Sequence, residues 1–234
     1  MSLGTAGDES KLEKVWSRSK IGVMGELRET KKRERRQRIS DVATELFHAH
    51  GFDQVTIEEI AAAADVSKMT VFNYFARKED LMFDREDDLK LVFLRDAIRA
   101  RPEGQAPTAA LLAFIETLRG HESPYTRIDK QTAAWWRVVE ASAVLQARLR
   151  EIADDASHEL ALELAGPKPD GVARLVAGTI VLTWRTAFTE AFRMFERGAS
   201  ARKANTAFVA LLERGFVAAH AMATRATPRS SAKI

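Results

Sequence analysis

Apolar residues along this chain recur at helical spacing, and no stretch shows the sustained alternation, bounded by hairpin turns, that marks strands. Ile39, Val42, Ala43, Leu46 and Phe47 fall at i, i+3, i+4, i+7 and i+8, one face of a helix over residues 31–50 that Gly51 ends. Thr56 opens the next helix: its hydroxyl can cap the amide of Glu59 while the Glu59 carboxylate reaches back, a capping box ahead of Ile60 and an alanine run ending near Ala64. Asp65 and Val66 make a tight connection, and Ser67 is placed to cap a third helix from Lys68 to about Phe75. Helices this short nucleate poorly and cannot bury a face alone. Ile57, Ile60, Ala61, Ala64, Val66, Val71, Phe72 and Phe75 are therefore expected to pack on the first helix, completing a helix-turn-helix.

The remainder continues as helices. Leu81, Leu89, Val92, Phe93, Ala97 and Ile98 predict a long fourth helix from Lys78 to about Arg101, closed by Pro102 and Gly104. Further helices are expected over residues 107–120, 129–141, 142–165, 170–197 and 200–224. In the last pair Val172, Val176, Ile180, Trp184, Phe188 and Phe192 repeat every fourth residue, and Phe208, Leu211, Leu212, Gly215, Phe216 and Ala219 follow a similar stripe. Both helices are apolar on more than one side, which calls for burial on more than one side. A four-helix interface between two copies satisfies that, with Val176, Ile180, Phe208, Leu212, Gly215 and Phe216 as its expected contacts. Gly215 costs a helix about 1 kcal/mol relative to Ala, a cost understandable where another backbone comes close.

Composition narrows the class. With 234 residues, 46% hydrophobic and 29% charged, the chain can bury a sizeable core and is neither collagen-like nor disordered throughout. The absence of cysteine removes disulfides, thiol nucleophiles and thiolate metal sites, and fits a reducing compartment. The longest uninterrupted apolar run, residues 178–184, is too short to span a bilayer, and the first 30 residues are mostly polar, so a cytoplasmic protein without a membrane partner is expected. Net charge is only +3, but residues 31–38 (KKRERRQR) set six basic residues against the single acid Glu34. Such a block attracts polyanions by counterion release. Catalytic constellations are missing: there is no nucleophile elbow, phosphate-binding glycine loop or paired-histidine metal motif, and no metal or cofactor is expected.

The run TIEEIAAAADVSKMTVFNYFARKEDLM, residues 56–82, behind the helix RRQRISDVATELFHAHGF, resembles the N-terminal domain of the tetracycline-repressor (TetR) family of one-component bacterial regulators. The resemblance covers about 50 residues without a gap and keeps the family's order of long helix, Gly-Phe, capped Thr, Val-Ser and paired aromatics. It implies an all-α homodimer, with an N-terminal helix-turn-helix domain over residues 31–77 and a helical ligand-binding and dimerisation domain over 78–225. Residues 1–30, longer than the family's usual short arm, are expected to form a basic, flexible leader, and residues 226–234 a flexible tail. The implied function is an effector-released repressor on a palindromic double-stranded operator. The same fold without small-molecule control is the alternative, and an all-α enzyme or ligand carrier is a distant third.

With Val71, Phe72 and Phe75 turned inward, Lys68, Met69, Thr70, Asn73 and Tyr74 are left to face DNA. Lys68 suits guanine O6 or N7, Met69 offers only apolar contact such as to a thymine methyl, and Thr70 and Asn73 suit base edges or phosphates. Thr56 and Lys78 stand at helix N-termini, and the resemblance implies backbone contacts there. The chain departs from the family pattern with Phe72 in place of Tyr, Tyr74 in place of His, and Asp65 in place of a turn Gly. For the effector, the expected walls are Phe114, Leu118, Trp135, Trp136, Trp184, Phe188 and Phe192. Arg137 and Arg185, cations within apolar segments, suit a ligand carboxylate or phosphate, and Arg185 equally suits an intersubunit salt bridge. The expected effector is thus largely apolar, with an anionic group as an option.

Overall fold

Capping side chains set the helix boundaries. In the computed structural model, which describes residues 9–84, 89–120 and 128–225 and side chains within 29–84, 89–118 and 128–225, the described residues form ten helices and no strand. They are α1 (Glu9–His50), α2 (Ile57–Ala63), α3 (Lys68–Tyr74), α4 (Glu79–Met82), α5 (Val92–Arg99), α6 (Pro107–Gly120), α7 (Lys130–Ala141), α8 (Ala143–Ala165), α9 (Gly171–Glu196) and α10 (Ala201–Arg225). Asp129, Ser142 and Asp170 accept from the amides of Thr132, Leu145 and Ala173, starting α7, α8 and α9. Gly51, Gly166 and Gly198 take positive φ at or just past the ends of α1, α8 and α9.

Contacts divide the chain into two compact units, Met1–His50 with Gln54–Met82, and Gly51–Asp53 with Phe83–Ile234. In the first, Ile39, Ala43 and Phe47 of α1 are sealed against Ile60 and Ala61 of α2, Val71 of α3, Phe75 and Leu81. Buried Ser40 donates its hydroxyl to the Leu81 carbonyl at 3.3 Å. The second unit has one apolar core, built from Phe93, Leu94 and Ile98 of α5, Leu111 and Ile115 of α6, Ala156 and Leu160 of α8, and the facing stripes of α9 and α10. Arg99 adds an exposed ion pair with Glu163 at 2.7 Å.

Two boundaries differ from the sequence reading. No break falls near residue 30: α1 is continuous from Glu9. The long fourth helix is interrupted, because Phe83 and Asp84 turn and Leu91 adopts φ +54°, ψ +40°, a left-handed conformation that a right-handed helix cannot carry. Residues 1–8 of the expected leader and the expected tail, 226–234, lie outside the described residues.

By length and composition alone α10 is apolar enough to cross a membrane, although charged residues interrupt its apolar stretches. Glu213 and Arg214 stand in its middle, and its stripe of Ala204, Phe208, Leu212, Phe216 and Ala219 belongs to the core of the second unit. That is the pattern of an amphipathic core helix.

Candidate nucleic-acid interface

The capping box predicted at Thr56 forms. Thr56 Oγ1 accepts from the Glu59 amide at 3.2 Å, the Thr56 amide donates to Glu59 Oε2 at 2.7 Å, and the Thr56 hydroxyl donates to the same oxygen at 2.8 Å. The bond from the Thr56 amide, then that from its hydroxyl, holds the Glu59 carboxyl below its ordinary range. Asp65 takes the turn at φ +53°, the left-handed conformation that Asp accommodates better than most residues. Ser67 then caps α3, accepting from the Thr70 amide at 3.0 Å.

α3 has two faces. Val71 and Phe75 are buried, whereas Lys68, Met69, Phe72 and Asn73 are exposed. Phe72 therefore does not point inward as the sequence suggested. Tyr74 is half-buried instead, its carbonyl accepting from Arg36 Nη1 at 2.5 Å while the Arg36 guanidinium lies 4.1 Å from the Phe75 ring centroid. This clamp between α1 and the end of α3 fixes the rotation of the shorter helix. Thr70 is also half-buried, with its hydroxyl 2.8 Å from that of Ser67.

Lys68 is paired with Glu58 of α2, and its ammonium lies 5.9 Å from the Phe72 ring. The hydrogen bond from Lys68 pulls the Glu58 carboxyl below its usual range. Both partners are exposed, so the pair is cheap to open. Lys78 is half-buried with its ammonium 5.7 Å from the Phe47 ring. On α1, Lys31, Lys32, Arg33, Arg35 and Arg38 are exposed, while Arg36 is spent on the clamp. The surface thus combines a capped, rigid pair of short helices with a cationic flank, a combination suited to a polyanion that carries readable edges.

In the second unit the aromatics singled out from sequence meet. Trp136 packs edge-on against Phe188 at 5.0 Å and Phe192 at 6.1 Å, and lies 6.0 Å from Trp135. Trp184 lies 5.3 Å from Phe208, while Phe93, which sequence reasoning missed, bridges Trp184 at 5.1 Å and Phe114 at 5.8 Å. Leu118 is buried in the same core. The indole Nε1 of Trp136 is buried without a hydrogen-bond partner. The arginines are elsewhere: Arg185 is exposed, and Arg137 is exposed with its Nε 3.7 Å from Glu196. A largely buried cation of this unit is Arg95 of α5, paired with Glu159. Its only sequence signal was a charge inside the apolar run LVFLR.

The stripe read as an intersubunit contact is internal. Val176, Ile180, Phe208, Leu212 and Phe216 are all no more than 2% exposed and hold α9 to α10 within one chain. A Cβ at Gly215 would lie 2.2 Å from Thr183 Oγ1 of the same chain, so the close approach that this glycine permits is intrachain. Leu175 and Leu182 of α9 and Val217 of α10 are the large apolar residues left facing out.

Residues 39–84 match the family model for bacterial regulatory proteins of the tetR family. The chain is 34% identical over 94 residues to the HTH-type transcriptional regulator TcmR of Streptomyces glaucescens, a match spanning 40% of this chain and 41% of that protein. It is 46% identical over 79 residues to MftR of Mycobacterium tuberculosis, named for mycofactocin biosynthesis transcriptional regulation, spanning 32% and 40% of the two chains. The chain therefore spans about two fifths of the length of each of these curated relatives. A likeness of fold extends further: the SmeT structure in complex with triclosan aligns with a TM-score of 0.53 at 20% identity, covering 79% of this chain and 91% of SmeT. Over residues 39–84, and in the order of its motif through α1 to α3, the chain is thus similar to bacterial regulatory proteins of the tetR family.

Proposed function

We propose that the chain is a cytoplasmic transcriptional regulator that binds a palindromic operator as a homodimer and is released from it by a small-molecule effector. The observation that carries this reading is α3 itself, a capped seven-residue helix with four neighbouring side chains in solvent, clamped to a basic α1. Lys68, Met69 and Asn73 keep their proposed place at the bases, joined by Phe72. Thr70 serves the cap first, Tyr74 lends its carbonyl to the clamp, and Thr56 and Lys78 are proposed to meet phosphates.

Support for an effector comes from the aromatic cluster of Trp135, Trp136, Phe188 and Phe192 and from its unpartnered indole Nε1. SmeT, similar in fold, is seen with triclosan. With Arg137 and Arg185 directed to solvent, the reading favours an apolar, uncharged effector over an anionic one. The proposed dimer surface is the outward stripe of Leu175, Leu182 and Val217. Regulation without an effector remains the second reading.

Linkage separates the two. A compound that releases DNA must lower operator affinity by the same factor by which the operator lowers the affinity for the compound, since coupling is reciprocal, and its binding beside the tryptophans is expected to change their fluorescence. Screening a panel of small apolar compounds against the protein–DNA complex tests this. Release by a compound whose affinity is lowered in Trp136→Phe supports the reading, and operator binding indifferent to the whole panel favours the alternative.

A further inference from the structure

α3 presents an apolar pair where a polyanion is expected. Met69 is 68% and Phe72 43% exposed, and they stand at i and i+3, side by side on one face. Single exposed hydrophobes are common on any protein surface. These two adjoin each other on the helix proposed above to meet DNA, so their covering is expected to come from DNA. Their polar neighbours are partly committed: the Lys68 ammonium is held by Glu58 against the Phe72 ring, and the Thr70 hydroxyl is held by Ser67. Asn73, exposed and one turn from Met69, has no protein partner among the described residues.

The apolar group that a major groove offers is the 5-methyl of thymine. We propose that α3 reads A·T pairs through thymine 5-methyl groups seated against Met69 and Phe72. Asn73 complements this, because its amide matches the N6 donor and N7 acceptor of adenine. Contact by Lys68 to guanine first requires the Glu58 pair to open, whereas the methyl contact breaks nothing. The inference rests on the DNA-binding reading above and specifies what that surface recognises.

The test uses the full chain and the duplex that it protects in a footprint. Each thymine and its symmetry mate are replaced together by deoxyuridine, which removes the methyl groups and nothing else. Burying one methyl is worth about fourfold in affinity, so a symmetric pair of contacted thymines is expected to show a loss of about fifteenfold. Met69→Ala or Phe72→Ala, both at exposed positions that leave the core intact, is expected to bind the thymine and deoxyuridine duplexes equally. If every deoxyuridine duplex binds as tightly as the parent, the proposal is overturned. It is also overturned if the penalty persists in both variants, or if the variants weaken binding while the wild type is indifferent to the methyls, since the side chains then rest on sugars. A chain that protects no duplex against scrambled competitor removes the DNA-binding reading itself, an outcome distinct from methyl indifference.

Discussion

Gly215→Ala sets two well-measured effects against each other. Inside a helix, replacing Gly by Ala is ordinarily stabilising by about 1 kcal/mol. At this position the new Cβ would lie 2.2 Å from Thr183 Oγ1, 2.3 Å from its Cγ2 and 2.7 Å from its Cβ. Rotating Thr183 does not escape the overlap, because its own Cβ is already too close, and rotation also breaks the 2.7 Å bond from its hydroxyl to the Thr179 carbonyl. α9 and α10 must then part by about 1 Å to restore ordinary carbon contacts of about 3.5 Å. Overpacking of that kind costs about 1–3 kcal/mol, and so deep an overlap belongs at the upper end. The expected net change is a loss of about 1–2 kcal/mol, read as a lower urea midpoint at fixed protein concentration. Thr183→Gly combined with Gly215→Ala moves the side chain across the seam and is expected to cost less than the sum of its parts, the signature of direct contact in a double-mutant cycle. A Gly215→Ala protein as stable as the parent, or more stable, would refute the intrachain seam.

Thr56→Ala is expected to lose about 1 kcal/mol of stability at neutral pH through the missing cap. Because the Glu59 carboxyl is held below its ordinary 4.5, its share of that stability is present above 4.5 and disappears as pH falls through the lowered folded value, so the gap between parent and variant urea midpoints should narrow in acid. Leu182→Glu, on the outward stripe of α9, should shift sedimentation toward monomer at low micromolar concentration while preserving the helical spectrum; an unchanged dimer places the interface elsewhere. Lys78→Ala should weaken binding to cognate and scrambled duplexes alike and reduce the salt slope by about one per contacted phosphate, and a changed base preference would contradict its assignment to the backbone.

Much of the fold was legible because its punctuation is chemical. Thr56, Ser67, Asp129, Ser142 and Asp170 cap the helices they precede, and each is a short polar side chain standing before an apolar period. The left-handed Leu91 had no such signal, since leucine favours continuing the helix that its conformation breaks. Neither did the extension of α1 to Glu9, whose scattered apolar residues, such as Leu12, Val15 and Trp16, are outnumbered by polar and charged ones. On α3 the fixed positions were Val71 and Phe75. Whether Phe72 or Tyr74 joined them depended on the clamp from Arg36, a contact 38 residues distant in sequence. α9 and α10 posed the opposite difficulty. Being apolar on more than one side, they announced two buried faces without saying which was internal, and Val176 differs from Leu175 by one position but faces the core. The aromatic cluster was readable as a set of bulky residues, but the outward turn of Arg137 and Arg185 was not, because a cation in an apolar segment reads alike whether it faces core or solvent.

The proposed function requires sequence-specific recognition by a two-fold pair of α3 helices. Footprinting of the full chain on the intergenic DNA beside its own gene tests this most directly. A protected palindrome with half-site centres about one helical turn, or a small multiple, apart is expected. Uniform protection that competes equally with scrambled DNA would contradict it.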